Sequence, residues 1–153
     1  MYLSGVDYES LADGDGVRVV LFVSGCKHNC KGCHSPDTHD FKYGTEVTPD
    51  VIEDINQEIK KRLPFLSGIT LSGGDPMYSA KECIDLLDKL IVPKENVWVF
   101  SGFTYEEINQ NPDMVKLLER CNVLVDGPFI EEQRDVSLKF RGSSNQRIIY
   151  LDK

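Results

Sequence analysis

The sequence predicts an α/β fold of about five βα units, built as an incomplete (βα) barrel or an open, mostly parallel sheet. Three observations predict it. Short apolar runs rich in β-branched residues alternate with segments of helical periodicity along most of the chain. Glycine-rich turns stand where those runs end. A closed eight-unit barrel takes about 250 residues, about 31 per unit, so 153 residues supply about five units.

Val17 to Ser24 is the first clear strand, bounded by Asp13-Gly14-Asp15-Gly16 and ending at Gly25. Thr48 and Pro49 supply an N-cap and a first helical position, after which Ile52, Ile55, Ile59 and Leu63 share one helix face. Gly68 to Ser72 is a short strand that breaks at Gly73-Gly74. Ser79 and Glu82 then form the pattern of a capping box, opening a helix with Cys83, Ile84, Leu87 and Leu90 inward. Val97 to Ser101 is the next strand, and Thr104 with Glu107 is a second capping box. Met114, Leu117, Leu118 and Cys121 mark a further amphipathic helix. Val123 to Val125 forms a strand ending at Asp126-Gly127, and Arg147 to Leu151 adds a last one after a loop that includes Arg141 to Asn145. There is no internal repeat, low-complexity segment or linker, so residues 1–153 are expected to form one domain.

Composition narrows the function classes. A net charge of -8 argues against broad nucleic-acid binding, which runs on Lys and Arg, and points to a small-molecule or protein partner. No apolar stretch approaches the length of a membrane span, and Met1 to Ser4 lacks the start of a signal peptide, so a cytoplasmic protein with no membrane partner is expected. Three of the five cysteines crowd into Cys26-Lys27-His28-Asn29-Cys30-Lys31-Gly32-Cys33, which suits a metal in reducing surroundings better than a disulfide framework.

Three thiolates from one loop can hold three corners of a cubane 4Fe-4S cluster and leave one iron open to substrate, as a catalytic zinc keeps a vacant position. The competing reading is a Cys₃His zinc knuckle completed by His28 or His34. Gly73-Gly74 follows a strand, where absent side chains let backbone approach a ligand, although a plain βα turn has the same signature. In open α/β sheets ligands sit at the carboxyl ends of strands. The cysteine loop, Gly73-Gly74-Asp75, Ser101-Gly102 and Asp126-Gly127 all follow strands and should converge.

Other residues read as structural. Gly14-Asp15-Gly16 lacks the third glycine of a dinucleotide loop, since Val19 stands there and a strand follows. Cys83 and Cys121 lie on apolar helix faces and read as packing residues. Trp98 packs, and Glu131-Glu132 is solvated surface. His28 and His34 either tune the metal loop or are incidental to it. Asp126 reads equally as a ligand contact or a turn aspartate.

Cys26-x₃-Cys30-x₂-Cys33 after one strand, with Gly73-Gly74-Asp75-Pro76 after the next, resembles the radical S-adenosylmethionine superfamily. Asp15-Gly16-Val17-Arg18, Leu21 to Cys26, Leu71 to Pro76, Val125-Asp126-Gly127 and Arg141 to Gln146 resemble, more narrowly, the activating proteins of anaerobic (class III) ribonucleotide reductase. The likeness spans nearly the whole chain. It implies a radical S-adenosylmethionine fold with one 4Fe-4S cluster on Cys26, Cys30 and Cys33. S-adenosyl-L-methionine would meet Gly73 and Gly74 at its methionine end and the backbone of Gly32, Cys33 and His34 at its adenine, with Asp126 nearby. Reductive cleavage would give a 5'-deoxyadenosyl radical that makes a glycyl radical on the large reductase subunit, with electrons from a donor such as reduced flavodoxin. Two positions depart from the pattern. Gly32 stands where the superfamily usually has an aromatic residue, and Pro128 stands where some activases have a lysine, leaving Arg18 or Lys139 as candidates for the methionine carboxylate. The alternatives are an activase of another glycyl-radical enzyme, such as pyruvate formate-lyase, and a non-catalytic zinc-binding adaptor.

Overall fold

The structure is a computed structural model that describes residues 1–28 and 39–151. Cys30, Gly32, Cys33 and His34 lie outside the described residues. The elements are β1 (Tyr2–Ser10), β2 (Val17–Val23), β3 (Thr45–Glu46), α1 (Pro49–Arg62), β4 (Leu66–Gly73), α2 (Ala80–Lys89), β5 (Val97–Phe100), α3 (Tyr105–Ile108), α4 (Pro112–Glu119), β6 (Val123–Asp126) and β7 (Arg147–Tyr150). They build one seven-stranded sheet of order β3-β1-β2-β4-β5-β6-β7. Its centre, β2-β4-β5-β6, is parallel, and both flanks are antiparallel.

The sheet is open, as the length requires. Its parallel run has four strands among the described residues, one short of the expected count. The remaining chain forms β1, β3 and β7, which pair antiparallel with their neighbours and end the parallel run on each side.

Strand alternation separates two apolar faces. Val19, Leu21, Val23, Ile69, Leu71, Val99 and Leu124 pack with the helices, through Ile55, Ile59, Leu86, Leu87 and Leu117. Trp98, Val123 and Val125 face the other way and pack with Phe100, Phe140 and Ile148. Trp98 is buried, and the Phe140 ring meets it edge-on at 5.2 Å.

Helix starts follow local chemistry with one exception. Thr48 accepts from Val51 N–H and Pro49 follows it, opening α1. Leu63, expected on the helix face, instead enters a 3₁₀ turn with Pro64 and stays exposed. The Thr104–Glu107 capping box forms and opens α3. The Ser79–Glu82 box does not: Ser79 makes no capping bond, because Asp75 and Pro76 start a 3₁₀ turn (Pro76–Ser79) that runs straight into α2.

Arg18 plugs the amino end of the parallel strands. It is 1% exposed, donating from Nε to Thr70 Oγ1 at 2.9 Å and from its terminal nitrogens to Asp15 O, Ile69 O and Asn96 Oδ1. Burial pulls its pKa down to about 10, which leaves it protonated at neutral pH. A Cβ at Gly68 would come within 2.5 Å of Arg18 Nη2, so that glycine makes room for the plug. This placement removes Arg18 as a candidate for a carboxylate at the opposite strand ends. Lys139 is exposed and sits over the Phe140 ring at 5.0 Å.

Candidate active site

The four parallel strands deliver their carboxyl ends to one cavity of about 140 Å³. Cys26 and His28 after β2, Gly73 and Gly74 at β4, Ser101 and Gly102 after β5, and Gly127 after β6 all line it. Phe129 and Gln146 close the far wall. The strand-end segments singled out from sequence therefore meet in space, insofar as they lie within the described residues.

Both stems of the cysteine loop are tied down. Ser24 donates its N–H to Tyr2 O at 3.0 Å and its hydroxyl to Tyr43 O at 2.6 Å. Cys26 N–H donates to His39 O at 3.2 Å, which joins the start of the loop to its return. Cys26 is half-buried at the cavity wall. Cys83 and Cys121 are fully buried among helix side chains, and burial pushes the Cys83 thiol far up.

The two glycines do different things. Gly73 has φ +104°, and a Cβ there would lie 2.5 Å from Val23 N and 2.6 Å from Val23 O. A side chain would collide with backbone, so this glycine is fixed by the β2–β4 pairing itself. Gly74 donates its N–H to Val23 O at 2.8 Å and presents its remaining main chain along the cavity.

Asp75, named from sequence only as part of Gly73-Gly74-Asp75, is a junction whose partners the sequence does not show. Its carboxylate is buried, and Oδ1 accepts from Met77 N–H at 3.0 Å. Oδ2 accepts from Ser101 Oγ at 3.0 Å and Gly102 N–H at 2.8 Å, and lies 2.6 Å from His28 Nε2. The only local signal was Pro76, which marks Asp75 as an N-cap; the partners lie far away in sequence.

Asp126 is also buried, with both oxygens engaged. Tyr105 N–H donates to Oδ2 at 2.7 Å, and Arg147 donates to Oδ1 from Nε at 3.0 Å and to Oδ2 from Nη2. Arg147 is held protonated by these bonds, first to Asp126 and then to Glu106. Asp126 thereby joins the start of α3 and β7 to the end of β6.

The Arg141 to Gln146 segment acquires a structural account. Gln146 Oε1 accepts from Gly142 and Ser143 N–H, while its Nε2 donates to Gly127 O at 3.0 Å. Asn145 Nδ2 donates to Pro128 O at 2.8 Å. The segment is thereby stapled to the chain leaving β6 and brings Gln146 to the cavity.

The residues fit a polar, metal-bearing ligand. Cys26 brings a thiol to the wall, and the other two cysteines of the motif follow in the same loop. His39 lines the cavity, and its Nε2 is buried and unbonded among the described residues. Buried polar atoms without partners are few in folded proteins, and one facing a cavity is matched by a ligand that hydrogen-bonds.

Comparison with known proteins agrees with this chemistry. A family model described as a 4Fe-4S single cluster domain matches residues 12–149. The chain is similar to the anaerobic ribonucleoside-triphosphate reductase-activating protein of Vibrio cholerae, 37% identical over 142 residues and 90% of each chain. It is 36% identical over 149 residues to that of Escherichia coli K12, covering 92% of this chain and 93% of the relative. The protein of the same name from enterobacteria phage T4 is 33% identical over 140 residues, covering 89% and 85%.

Proposed function

Because the chain belongs to the family of anaerobic ribonucleoside-triphosphate reductase-activating proteins, we propose that it installs a glycyl radical on the large subunit of an anaerobic ribonucleotide reductase. The observation that carries the reading is Cys26 and Gly74 facing one cavity at the carboxyl ends of parallel strands. Cys26, Cys30 and Cys33 would hold a 4Fe-4S cluster. When bound, that cluster supplies the electron that cleaves S-adenosylmethionine to methionine and a 5'-deoxyadenosyl radical, which takes a hydrogen atom from the partner's glycine.

The chain's own residues bind and orient. Main chain at Gly73 and Gly74 takes the methionine end, and the backbone of Gly32, Cys33 and His34 takes the adenine. Asp126 acts behind this wall by fixing α3 and β7. Among the described residues the sheet does not close, and in this reading the partner's glycine loop seals the cavity and excludes water as it presents its Cα hydrogen. An electron donor such as reduced flavodoxin completes the set, in the cytoplasm, with residues 1–153 working as one domain. Neither nucleic acid nor membrane has a role in this reading: net charge is -8, and no helix among the described residues is long and apolar enough to cross a membrane.

The zinc-adaptor alternative would draw on His28 or His34 as a fourth ligand, and it leaves the glycine-lined cavity without a use. An activase for pyruvate formate-lyase would share the whole site. The test is anaerobic mixing of the reduced, iron-loaded chain with S-adenosylmethionine and the reductase. A glycyl doublet in electron paramagnetic resonance is expected on the reductase. A doublet on pyruvate formate-lyase and none on the reductase would reassign the partner.

A further inference from the structure

We infer that His28 is a positioning residue, a plug seated in a socket formed by Asp75, Gly102, Phe103 and Tyr78, and that this plug sets where the cysteine loop presents its thiolates. The inference rests on the cluster-binding reading above. Four observations converge on the socket. His28 Nε2 lies 2.6 Å from Asp75 Oδ2, with the two side chains 16% and 1% exposed. An ionised Asp75 can only accept, so His28 Nε2 is the donor in this contact. Gly102 is shaped for this ring: an added Cβ would lie 2.7 Å from His28 Cδ2 and 2.8 Å from Nε2. The Phe103 ring meets the imidazole edge-on at 4.5 Å, and Tyr78 leans on it at 5.2 Å.

A histidine kept for packing alone would need no buried carboxylate aimed at it; an apolar side chain would fill the same space without desolvating one. Placement gives the contact its purpose. His28 stands two residues after Cys26 and two before Cys30, so its contact holds the chain between the first two cysteines of the motif, while the Cys26 N–H bond to His39 O holds the stem. Asp75 directly follows Gly74, and the same carboxylate oxygen takes Ser101 and Gly102. Asp75 thereby ties the chain that follows Cys26 to both the glycine wall and the end of β5. Outer partners that orient metal-binding segments in this way govern affinity and electronic structure without touching the metal.

The test uses the full chain, reconstituted anaerobically with iron and sulfide, as wild type, His28→Leu, His28→Gln and Gly102→Ala. Two quantities are read beside a thermal melt: the rate of iron loss to a chelator, and the electron paramagnetic resonance spectrum of the reduced cluster before and after S-adenosylmethionine is added. His28→Leu should lose iron about tenfold faster and show an altered spectral response to S-adenosylmethionine, at an unchanged melting temperature. Gly102→Ala should behave alike, because it crowds the ring out of its socket. His28→Gln keeps an N–H donor for Asp75 and should return toward wild type. Iron loss and spectra in His28→Leu that match wild type overturn the inference, as does an equal defect in the Leu and Gln variants. A wild-type chain that takes up zinc and no iron-sulfur cluster sinks the functional reading and this one together.

Discussion

Arg147 grips both carboxylate oxygens of Asp126, joining the last strand of the sheet to the end of its neighbour just behind the cavity. The same carboxylate takes the first N–H of α3 through Tyr105. Asp126→Ala should therefore destabilise the fold by about 2 kcal/mol, measured by urea unfolding. Affinity for S-adenosylmethionine should stay near wild type at temperatures where the variant is folded. Combining it with Arg147→Met should add little further loss, because both changes break the same contact. A selective loss of affinity with full stability would favour a ligand contact instead.

Gly73 and Gly74 should separate in their effects. Gly73→Ala forces a side chain onto Val23 backbone at positive φ, so we expect a loss of about 2 kcal/mol or more and weakened β2–β4 pairing. Gly74→Val should keep the iron content and lose S-adenosylmethionine affinity in calorimetric titration. Unchanged affinity in that variant would reduce the pair to a turn.

The cysteines divide by location. Cys26→Ala, Cys30→Ala and Cys33→Ala should each abolish cluster assembly, counted as iron and sulfide per chain after anaerobic reconstitution. Cys83→Ala and Cys121→Ala should keep it. Burial raises the Cys83 thiol pKa, so the unfolded chain gives up that proton at lower pH than the folded one. Its contribution to stability is therefore intact below the ordinary thiol pKa and declines as pH rises above it. Alkylation of Cys83 should appear only when the chain is unfolded, and rapid labelling of the native protein would contradict the burial.

Arg18→Met should cost about 3 kcal/mol, because it takes the donor from buried Thr70 Oγ1 and Ile69 O and from the half-buried Asn96. Urea unfolding reads the loss. Since Arg18 lies at the opposite strand ends from the cavity, S-adenosylmethionine affinity in the folded fraction should be spared.

Much of this architecture was legible in the sequence because its signals are local. The parallel strands are short apolar runs, and the starts of α1 and α3 carry their caps at Thr48 and Thr104. β1 escaped because Tyr2 to Ser10 lacks alternation: only Leu3 and Ser10 are buried, and register shifts interrupt its pairing with β2. The antiparallel direction of β7 was also out of reach, since it depends on the fold-back of the segment stapled by Asn145 and Gln146. At the site, the cysteine spacing and the double glycine stood out as motifs. The His28–Asp75 contact did not, because residues 47 apart are brought together only by parallel strand order. The failed Ser79–Glu82 box has a related cause: Asp75, one 3₁₀ turn earlier, captures the start of the helix.

A wall made of glycine and main chain has a consequence for inheritance. Gly73, Gly74, Gly102 and Gly127 leave part of the cavity wall without side chains to lose. Ordinary substitutions elsewhere change side chains and leave peptide groups in place, so such a surface can pass through long divergence with its binding capacity intact. Its vulnerability is concentrated at the glycines themselves. In a saturating mutational screen of this chain, tolerance around the cavity should collapse at Gly73 and Gly102, where a single added carbon already meets another atom within 3 Å, as it should at Cys26 and His28, and should be broader at the other lining positions.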